Sequence, residues 1–162
     1  MSDPTVSIRD AAPADAAAIA DLTRRAFAQQ AALYADDTLP PLGDTADTVL
    51  DAMERGVVLV AEDDAGSLIG SVRGEMREGS CLVGRLVVEP TLQGRGIGRA
   101  LARALEERFP SASCFKIFTG HRSAPALHLY ESLGYTRERT EYVHDRLTLV
   151  FLAKAGAGAE TP

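Results

Sequence analysis

The chain has 162 residues, of which 46% are hydrophobic and 25% charged, and its formal net charge at pH 7 is −6. This length suffices for one globular domain with a substantial core, and the negative charge argues against a nucleic-acid-binding protein, which needs a broad basic surface. Because there is no apolar run that could span a membrane, no signal-peptide pattern, and only two cysteines without metal-ligand spacing, we expect a cytoplasmic protein with no membrane, metal or disulfide.

The first third of the sequence predicts one strand and two helices. Residues 5–9 alternate in polarity and indicate the first strand. Pro13 and Asp15 then open a helix whose apolar residues recur at spacings of three and four. Residues 35–43 contain two aspartates and a proline pair, which indicate a loop. A second helix is predicted over residues 45–55, and Gly56 directly after it is expected to end it.

The middle of the sequence predicts three strands joined by tight turns. Turn residues lie at 63–66, where two aspartates, an alanine and a glycine follow one another. A second turn at Glu78 and Gly79 separates the next pair of strands. The predicted strands are residues 57–61, 68–76 and 81–88.

The last third predicts two helices, a strand between them and a closing hairpin. Apolar residues recur every four positions from Leu101 to Phe109 and indicate the first helix. The second lies between Ser123, a good N-cap, and Gly134, a good stop. The predicted strands are residues 114–119, 135–142 and 147–152. The order is therefore β-α-α-β-β-β-α-β-α-β-β, a mixed α+β fold in a single domain over residues 1–153, with a flexible tail over 154–162.

The most informative segment is the apolar strand 82–88 with the glycine-rich loop after it, Gln93-Gly94-Arg95-Gly96-Ile97-Gly98-Arg99. The loop opens directly into a helix, and the N–H groups at a helix start have no intrahelical partner and attract anions. We therefore expect a phosphate-bearing ligand on residues 94–99. A Walker loop is excluded because its lysine is absent, and the dinucleotide motif needs a glycine where Arg99 stands. A turn in which the glycines serve only geometry remains the alternative.

One glycine pattern does fit: Gln93 is followed three positions later by Gly96 and two positions after that by Gly98. This spacing and the element order resemble the GCN5-related N-acetyltransferase (GNAT) family, which holds the pyrophosphate of acetyl-CoA with this loop. The resemblance covers residues 5–153 and implies a mostly antiparallel twisted sheet flanked by helices. In the last helix, a serine replaces the family's asparagine. The family's positions there are occupied by Ser123, Ala126, Tyr130, Gly134 and Tyr135.

The resemblance also implies how acetyl-CoA is held. The backbone of strand residues 86–88 would pair with the pantetheine arm like an added strand. An N–H group there, that of Val87 in our interpretation, would polarise the thioester carbonyl. The implied cofactor-binding residues are Leu86, Val87, Val88, Gln93, Gly94, Arg95, Gly96, Ile97, Gly98, Arg99, Ser123 and Tyr130.

Acetyl transfer to an amine benefits from a base, because an alkyl amine is neutral only about one time in a thousand at neutral pH. Glu89 and Glu75 are the candidate bases, since both stand near strand ends where the family places a carboxylate. Tyr130 matches the family's general acid, and its alternative role is that of a core tyrosine. His121 is a further candidate, whose alternative is a loop histidine in water.

Charge is distributed unevenly along the chain. Residues 1–64 carry 13 acidic and 4 basic side chains, a net of −9, whereas residues 65–162 carry 10 acidic and 13 basic, a net of +3. The basic half suits an anionic cofactor and the acidic half a cationic acceptor, although solvated helix faces would give the same counts. We expect the acceptor site between residues 31–43 and the C-terminal hairpin. The side chains that could meet a cation there are Tyr34, Asp36 and Asp37.

These observations predict an acetyl-CoA-dependent N-acetyltransferase that acts on a primary amine of a small molecule or peptide, directly in a ternary complex and without a metal. Arg85 either lines the acceptor cleft or pairs with a strand neighbour. The alternatives are a non-catalytic acyl-CoA-binding sensor and a nucleotide-binding protein. We also consider a homodimer paired through exposed strands.

Overall fold

Seven strands and four helices make up the fold in the computed structural model, which describes residues 6–159. The strands are β1 (Ser7–Asp10), β2 (Val57–Glu62), β3 (Leu68–Arg77), β4 (Ser80–Val88), β5 (Cys114–Gly120), β6 (Thr136–His144) and β7 (Leu147–Ala155). The helices are α1 (Ala16–Tyr34), α2 (Ala46–Arg55), α3 (Ile97–Glu107) and α4 (Ala124–Ser132). The predicted element order is confirmed.

All strands belong to one sheet, in the order β1-β2-β3-β4-β5-β7-β6. Neighbours are antiparallel except β4 and β5, which run parallel. The expected mixed α+β fold with a mostly antiparallel sheet is therefore confirmed. Within residues 6–159, no helix combines the length and the apolar character needed to cross a bilayer.

Helices pack on both faces of the sheet because the apolar side chains of its strands alternate. In β2, Val58 and Val60 pack against α1 and α2, whereas Leu59 and Ala61 belong to the larger cluster with α3 and α4. Leu101 of α3 lies in that cluster and is fully buried. Burying such a side chain contributes about 1.5–3 kcal/mol to folding.

Helix boundaries depart from the predictions where a proline alters the first turn. Pro13–Asp15 form a 3-10 turn, and α1 begins only at Ala16. Thr45 caps α2, since its hydroxyl accepts the N–H of Thr48 at 3.3 Å. Thr5, in the first predicted strand, lies outside the described residues.

The chain after β7 packs against the start of β5. The N–H of Gly156 donates to the carbonyl of Ser113 at 2.9 Å, and that of Gly158 donates to Ala112 at 2.8 Å. This part of the predicted tail is therefore hydrogen-bonded to the domain. Residues 160–162 of the predicted tail lie outside the described part of the chain.

Candidate active site

The parallel strands β4 and β5 separate after a short paired stretch. Residues 80–82 of β4 pair with residues 114–116 of β5. Beyond that point β5 keeps its pairing with β7, whereas residues 83–88 have no strand partner on the β5 side among residues 6–159. Their main-chain groups on this edge are therefore available to an extended ligand.

A β-bulge lies within the unpaired stretch of β4. Between the pairs Arg73–Gly84 and Ser71–Val87, two residues of β4 oppose one residue of β3. One of them is Arg85, whose φ of 49° falls in the left-handed region. An L residue pays roughly 1–2 kcal/mol for this conformation. The bulge bends β4 and increases its local twist, as bulges do.

The bulge also reverses the side-chain alternation of β4. Before it, Cys81 and Val83 face the cluster with α3, and after it Leu86 and Val88 pack against the same cluster. Val87 instead packs against α1. The hydrophobic contacts on both faces of the β4 end therefore depend on this one extra residue.

The main-chain direction of Val87 differs from our interpretation. The N–H of Glu89 donates to the carbonyl of Ile69 at 2.8 Å, which makes these two residues a hydrogen-bonded antiparallel pair. Because such pairs alternate along a ladder, Val87 points its N–H toward β3. Leu86 and Val88 are then the residues whose N–H groups face the open edge.

The glycine-rich loop after β4 has the geometry of an anion site. Gly94 and Gly96 have φ angles of 81° and 86°, and a Cβ at either position would have no atom within 4 Å. The loop therefore needs these glycines for backbone conformation and not for packing. In the described part of the chain, the N–H groups of residues 94–99 have no hydrogen-bond acceptor. They lie at the positive end of α3, where an anion is favoured.

Two of the three polar side chains expected at this loop contact the protein. Gln93 Nε2 donates to the carbonyl of Val88 at 3.3 Å, which ties the loop to the end of β4. Arg99 Nη2 donates to Ser132 Oγ at 2.6 Å and thus links α3 to the end of α4. The Arg95 side chain is exposed and has no polar partner within residues 6–159.

Helix α4 reaches the same place because Gly98 leaves room for it. A Cβ on Gly98 would lie 3.3 Å from Leu129 of α4 and 3.7 Å from Val88 of β4. Gly98 is therefore the glycine of this loop that serves packing. The end of β4, the first turn of α3 and the middle of α4 meet at this point.

Tyr130 lies on α4 at this junction and is 7% exposed. Burial raises the pKa of its hydroxyl, which stays protonated at neutral pH. Over residues 6–159, Arg73 Nε is the one buried side-chain N or O atom without a hydrogen-bond partner. The Tyr130 hydroxyl also has no hydrogen-bond partner among these residues but is not one of the fully buried atoms, so it keeps a small accessible surface. The ring itself belongs to the core.

Ser123 is buried and occupies the predicted N-cap position of α4, but its side chain makes no capping hydrogen bond. Its Oγ is 2.6 Å from the hydroxyl of Tyr34 and donates to Gln30 Oε1 at 2.6 Å, both on α1. This hydroxyl is used to hold α1 against the loop before α4. Its placement gives no support to the expected contact with coenzyme A.

Both candidate bases are paired with arginines. Arg25 Nη1 lies 2.7 Å from Oε1 and 2.5 Å from Oε2 of Glu89, and this bond raises the pKa of Arg25. Glu75 lies on β3 opposite Leu82, and Arg55 Nε donates to it at 3.2 Å. Since a strand advances about 3.3 Å per residue, Glu75 is more than 10 Å along the sheet from the end of β4.

The expected acceptor segment and the β6–β7 hairpin are in contact. Asp36 Oδ2 and His144 Nε2 are 2.8 Å apart, and Arg146 Nε donates to the carbonyl of Tyr34 at 3.0 Å. Hydrogen bonds from Thr38, followed by that from His144, lower the pKa of Asp36 to about 2. Tyr34 is itself buried. Tyr34 and Asp36 thus join these segments rather than face an open site, whereas Asp37 is exposed.

His121 is also engaged with β7. Its Nδ1 accepts the N–H of Thr148 at 3.0 Å. The ring lies beside Tyr34, with the two ring centroids 5.9 Å apart. Through these contacts His121 helps to hold β7 and α1 together at the end of β5.

A cluster of charged residues that the sequence did not connect lies on the α1–α2 side of the gap. Arg73 Nη2 donates to Asp44 Oδ2 at 2.7 Å, and Arg85 Nε donates to the same oxygen at 3.2 Å. The Asp44 side chain is 5% exposed. Arg85 therefore does pair with a partner, but that partner is in a loop and is shared with Arg73. In the sequence, the two arginines within largely apolar strands were the indication that a carboxylate is buried against them.

Comparison with protein families is consistent with this geometry. The model for the acetyltransferase (GNAT) domain matches residues 54–137, which include the open edge, the glycine-rich loop and Tyr130. The chain belongs to the GNAT family. A comparison with curated proteins finds no match.

Solved GNAT structures share the fold over nearly the whole chain. A phosphinothricin acetyltransferase from Sinorhizobium meliloti, in complex with acetyl-CoA, is 22% identical with a TM-score of 0.78, and the match covers 98% of this chain and 92% of that one. The ribosomal-protein-S18-alanine N-acetyltransferase of Escherichia coli is 18% identical with a TM-score of 0.77, covering 98% and 97%. The PaiA N-acetyltransferase of Thermoplasma acidophilum, in complex with coenzyme A, is 14% identical with a TM-score of 0.75, covering 93% and 99%.

The GNAT family match leaves out several elements of the domain. It covers β2 to β5 with α3 and α4, whereas α1, the loop with Asp44 and strand β7 lie outside it. Acceptor specificity in this protein therefore has to be argued from its own residues.

Proposed function

We propose that this GNAT protein is an acetyl-CoA-dependent N-acetyltransferase that transfers the acetyl group directly to a primary amine of a small molecule or peptide. The observation that carries the proposal is the continuity of the unpaired β4 edge with the free N–H groups of residues 94–99. The structural relatives described with acetyl-CoA or coenzyme A support the same ligand here.

The residues present fit this ligand. The run of unpartnered N–H groups at the start of α3 suits a diphosphate, and the exposed Arg95 adds a cation beside it. The open-edge groups of Leu86 and Val88 suit the amides of a pantetheine arm. Arg99 would have to exchange its bond to Ser132 for one to phosphate. Ile97 is buried and contributes only its main chain.

Acetyl-CoA would supply the activated thioester, and the chain would orient it and stabilise the charges that develop. The N–H group of Leu86, which lies farther from the glycine-rich loop than that of Val88, can donate to the thioester oxygen and leaves the Val88 group for the pantetheine arm. The Tyr130 hydroxyl can donate a hydrogen bond to the departing sulfur. Because its raised pKa lies above that of a thiol, about 8.5, full proton transfer would be uphill. We therefore assign Tyr130 the role of a hydrogen-bond donor to the developing thiolate.

Glu89 is the better placed of the two candidate bases. It follows Val88 directly, whereas Glu75 lies farther along β3 and is held by Arg55. Arg25 holds the Glu89 carboxylate in place, and one of its oxygens can accept the amine proton directly or through a water molecule. The transfer in a ternary complex would then need no metal.

Two measurements test the proposal. Isothermal titration should show binding of acetyl-CoA in preference to ATP and NAD, and free thiol should be released when amines from a mixed panel are added. Binding of acetyl-CoA without thiol release from any amine would instead support the acyl-CoA sensor. Stabilisation by ATP or NAD but not by coenzyme A would contradict the assignment altogether.

A further inference from the structure

The Asp44 cluster carries more positive than negative charge. Two guanidinium groups share one carboxylate, with Arg85 Nη2 also 3.4 Å from Asp44 Oδ1. A third arginine, Arg24, donates to the main-chain carbonyl of Asp44 at 2.5 Å and has its own counterion in Asp21, 3.8 Å away. Arg73 and Arg85 against the single carboxylate of Asp44 leave the cluster with an excess of one positive charge at a largely buried place.

This excess is not needed to hold the fold. One arginine would satisfy the buried Asp44, and the second brings an uncompensated charge whose burial opposes folding. Burial lowers the pKa of Arg73, because the charged guanidinium is disfavoured away from water. In the described chain, Arg73 Nε is buried and has no acceptor. The cluster thus holds donors and charge that the protein itself leaves unused.

The cluster borders the open edge of β4. Arg85 directly precedes Leu86, whose N–H faces the gap, and the bulge turns the Arg85 side chain to the α1–α2 side. A Cβ on Gly84 would meet no atom within 4 Å, and Leu82 on the same face is exposed. This surface therefore leaves room for a small molecule between the cluster and the edge.

We propose that the Arg73–Asp44–Arg85 cluster binds a carboxylate of the acceptor, so that the acceptors are small molecules carrying both a primary amine and a carboxylate, such as amino acids. The planar guanidinium fork fits a carboxylate. A single negative charge balances the excess, whereas a phosphate dianion would overcompensate it. The inference rests on the proposed function and replaces the expected recognition of a cationic acceptor by Asp36.

The test compares matched acceptors with matched variants. Thiol release is measured with α-, β- and γ-amino acids and with the amide of each, which keeps the amine and removes the carboxylate charge. Arg85→Gly removes the side chain and also relieves the backbone conformation at φ 49°, so it should fold. Arg85→Lys keeps the charge without the fork. Arg108→Gln, which removes an exposed arginine paired with Asp10, is the control.

At least one amino acid should exceed its amide in kcat/KM, and Arg85→Gly should lower kcat/KM for that acid about 10- to 150-fold, as expected for a charged hydrogen bond. The loss should appear in KM, because the bond is made equally in the ground and transition states. Activity on the amide and the affinity for acetyl-CoA should not change, and Arg85→Lys should be intermediate.

Equal rates for acids and amides in an active enzyme would overturn the inference and leave the proposed function intact. If no amine releases thiol, the Nε–H signals of Arg73 and Arg85 can be followed by NMR during titration with the same compounds. Shifts caused by the acids and not by the amides would support carboxylate binding. Identical spectra with both sets would refute it, whether or not the protein is an enzyme.

Discussion

Substitution of Gly96 by alanine tests whether the glycine-rich loop binds phosphate or is only a turn. Gly96 has a φ of 86° at the N-cap of α3, and a Cβ there would touch nothing within 4 Å. The substitution therefore adds backbone strain without a steric clash. The strain should cost about 1–2 kcal/mol, equivalent to a fall in Tm of about 2–8 °C for a domain of this size.

Gly66 provides a matched control. It lies in the turn between β2 and β3 with a φ of 82°, and a Cβ there also has no atom within 4 Å. Gly66→Ala should thus lower Tm by a similar amount. The two variants differ only in whether the altered backbone belongs to the proposed diphosphate site.

Coenzyme A affinity should distinguish the two variants. If Gly96→Ala relaxes toward negative φ, it redirects the N–H groups of Gly96 and Ile97 away from the diphosphate. Losing one charge-assisted hydrogen bond costs about 1.5–3 kcal/mol, so Kd measured by isothermal titration should rise about 10- to 150-fold. Gly66→Ala should bind with the wild-type Kd. Equal affinities of both variants, after equal losses of Tm, would refute anion binding by this loop.

Three further substitutions test individual side chains. Tyr130→Phe should lower kcat about 10- to 150-fold by removing the hydrogen bond to the developing thiolate, with acetyl-CoA affinity unchanged, and the exposed Tyr142→Phe should have no effect. Glu89→Gln should lower kcat, whereas Glu107→Gln, on the exposed side of α3, should leave kcat unchanged. Asp36→Asn should reduce Tm at neutral pH, because the lowered pKa of this carboxylate stabilises the fold above its unfolded pKa of about 3.9. That difference should fade as the pH falls toward the folded value of about 2, and a Tm difference that persists there would contradict the assignment.

The element order followed from local signals in the sequence. Alternating residues predicted the strands, and Gly, Pro and Asp marked the turns between them. The loop motif also depends on local conformation, since Gly94 and Gly96 occupy the left-handed region that the turn requires. For these features, the residues near one another in sequence contain the necessary information.

Tertiary partners could not be predicted in this way. Ser123 has the side chain of an N-cap, but Tyr34, 89 residues earlier in the chain, takes its hydroxyl. Asp44 lies 29 residues before Arg73 and 41 before Arg85, in a loop whose charge pattern is unremarkable. A buried arginine predicts that a counterion exists, yet only the packed sheet determines which carboxylate it is.

The bulge in β4 accounts for the arrangement of the whole site. If the residue at 85 were deleted, strict alternation would resume, and Leu86 and Val88 would turn from α3 toward α1 while Val87 turned into the α3 cluster. Val88 would then leave its place beside Gly98, so the start of α3 would lose its contact with β4. The same deletion would remove the guanidinium from Asp44. Because one extra residue sets both the open edge proposed for the cofactor and the neighbouring cationic cluster, the two cannot shift independently of each other.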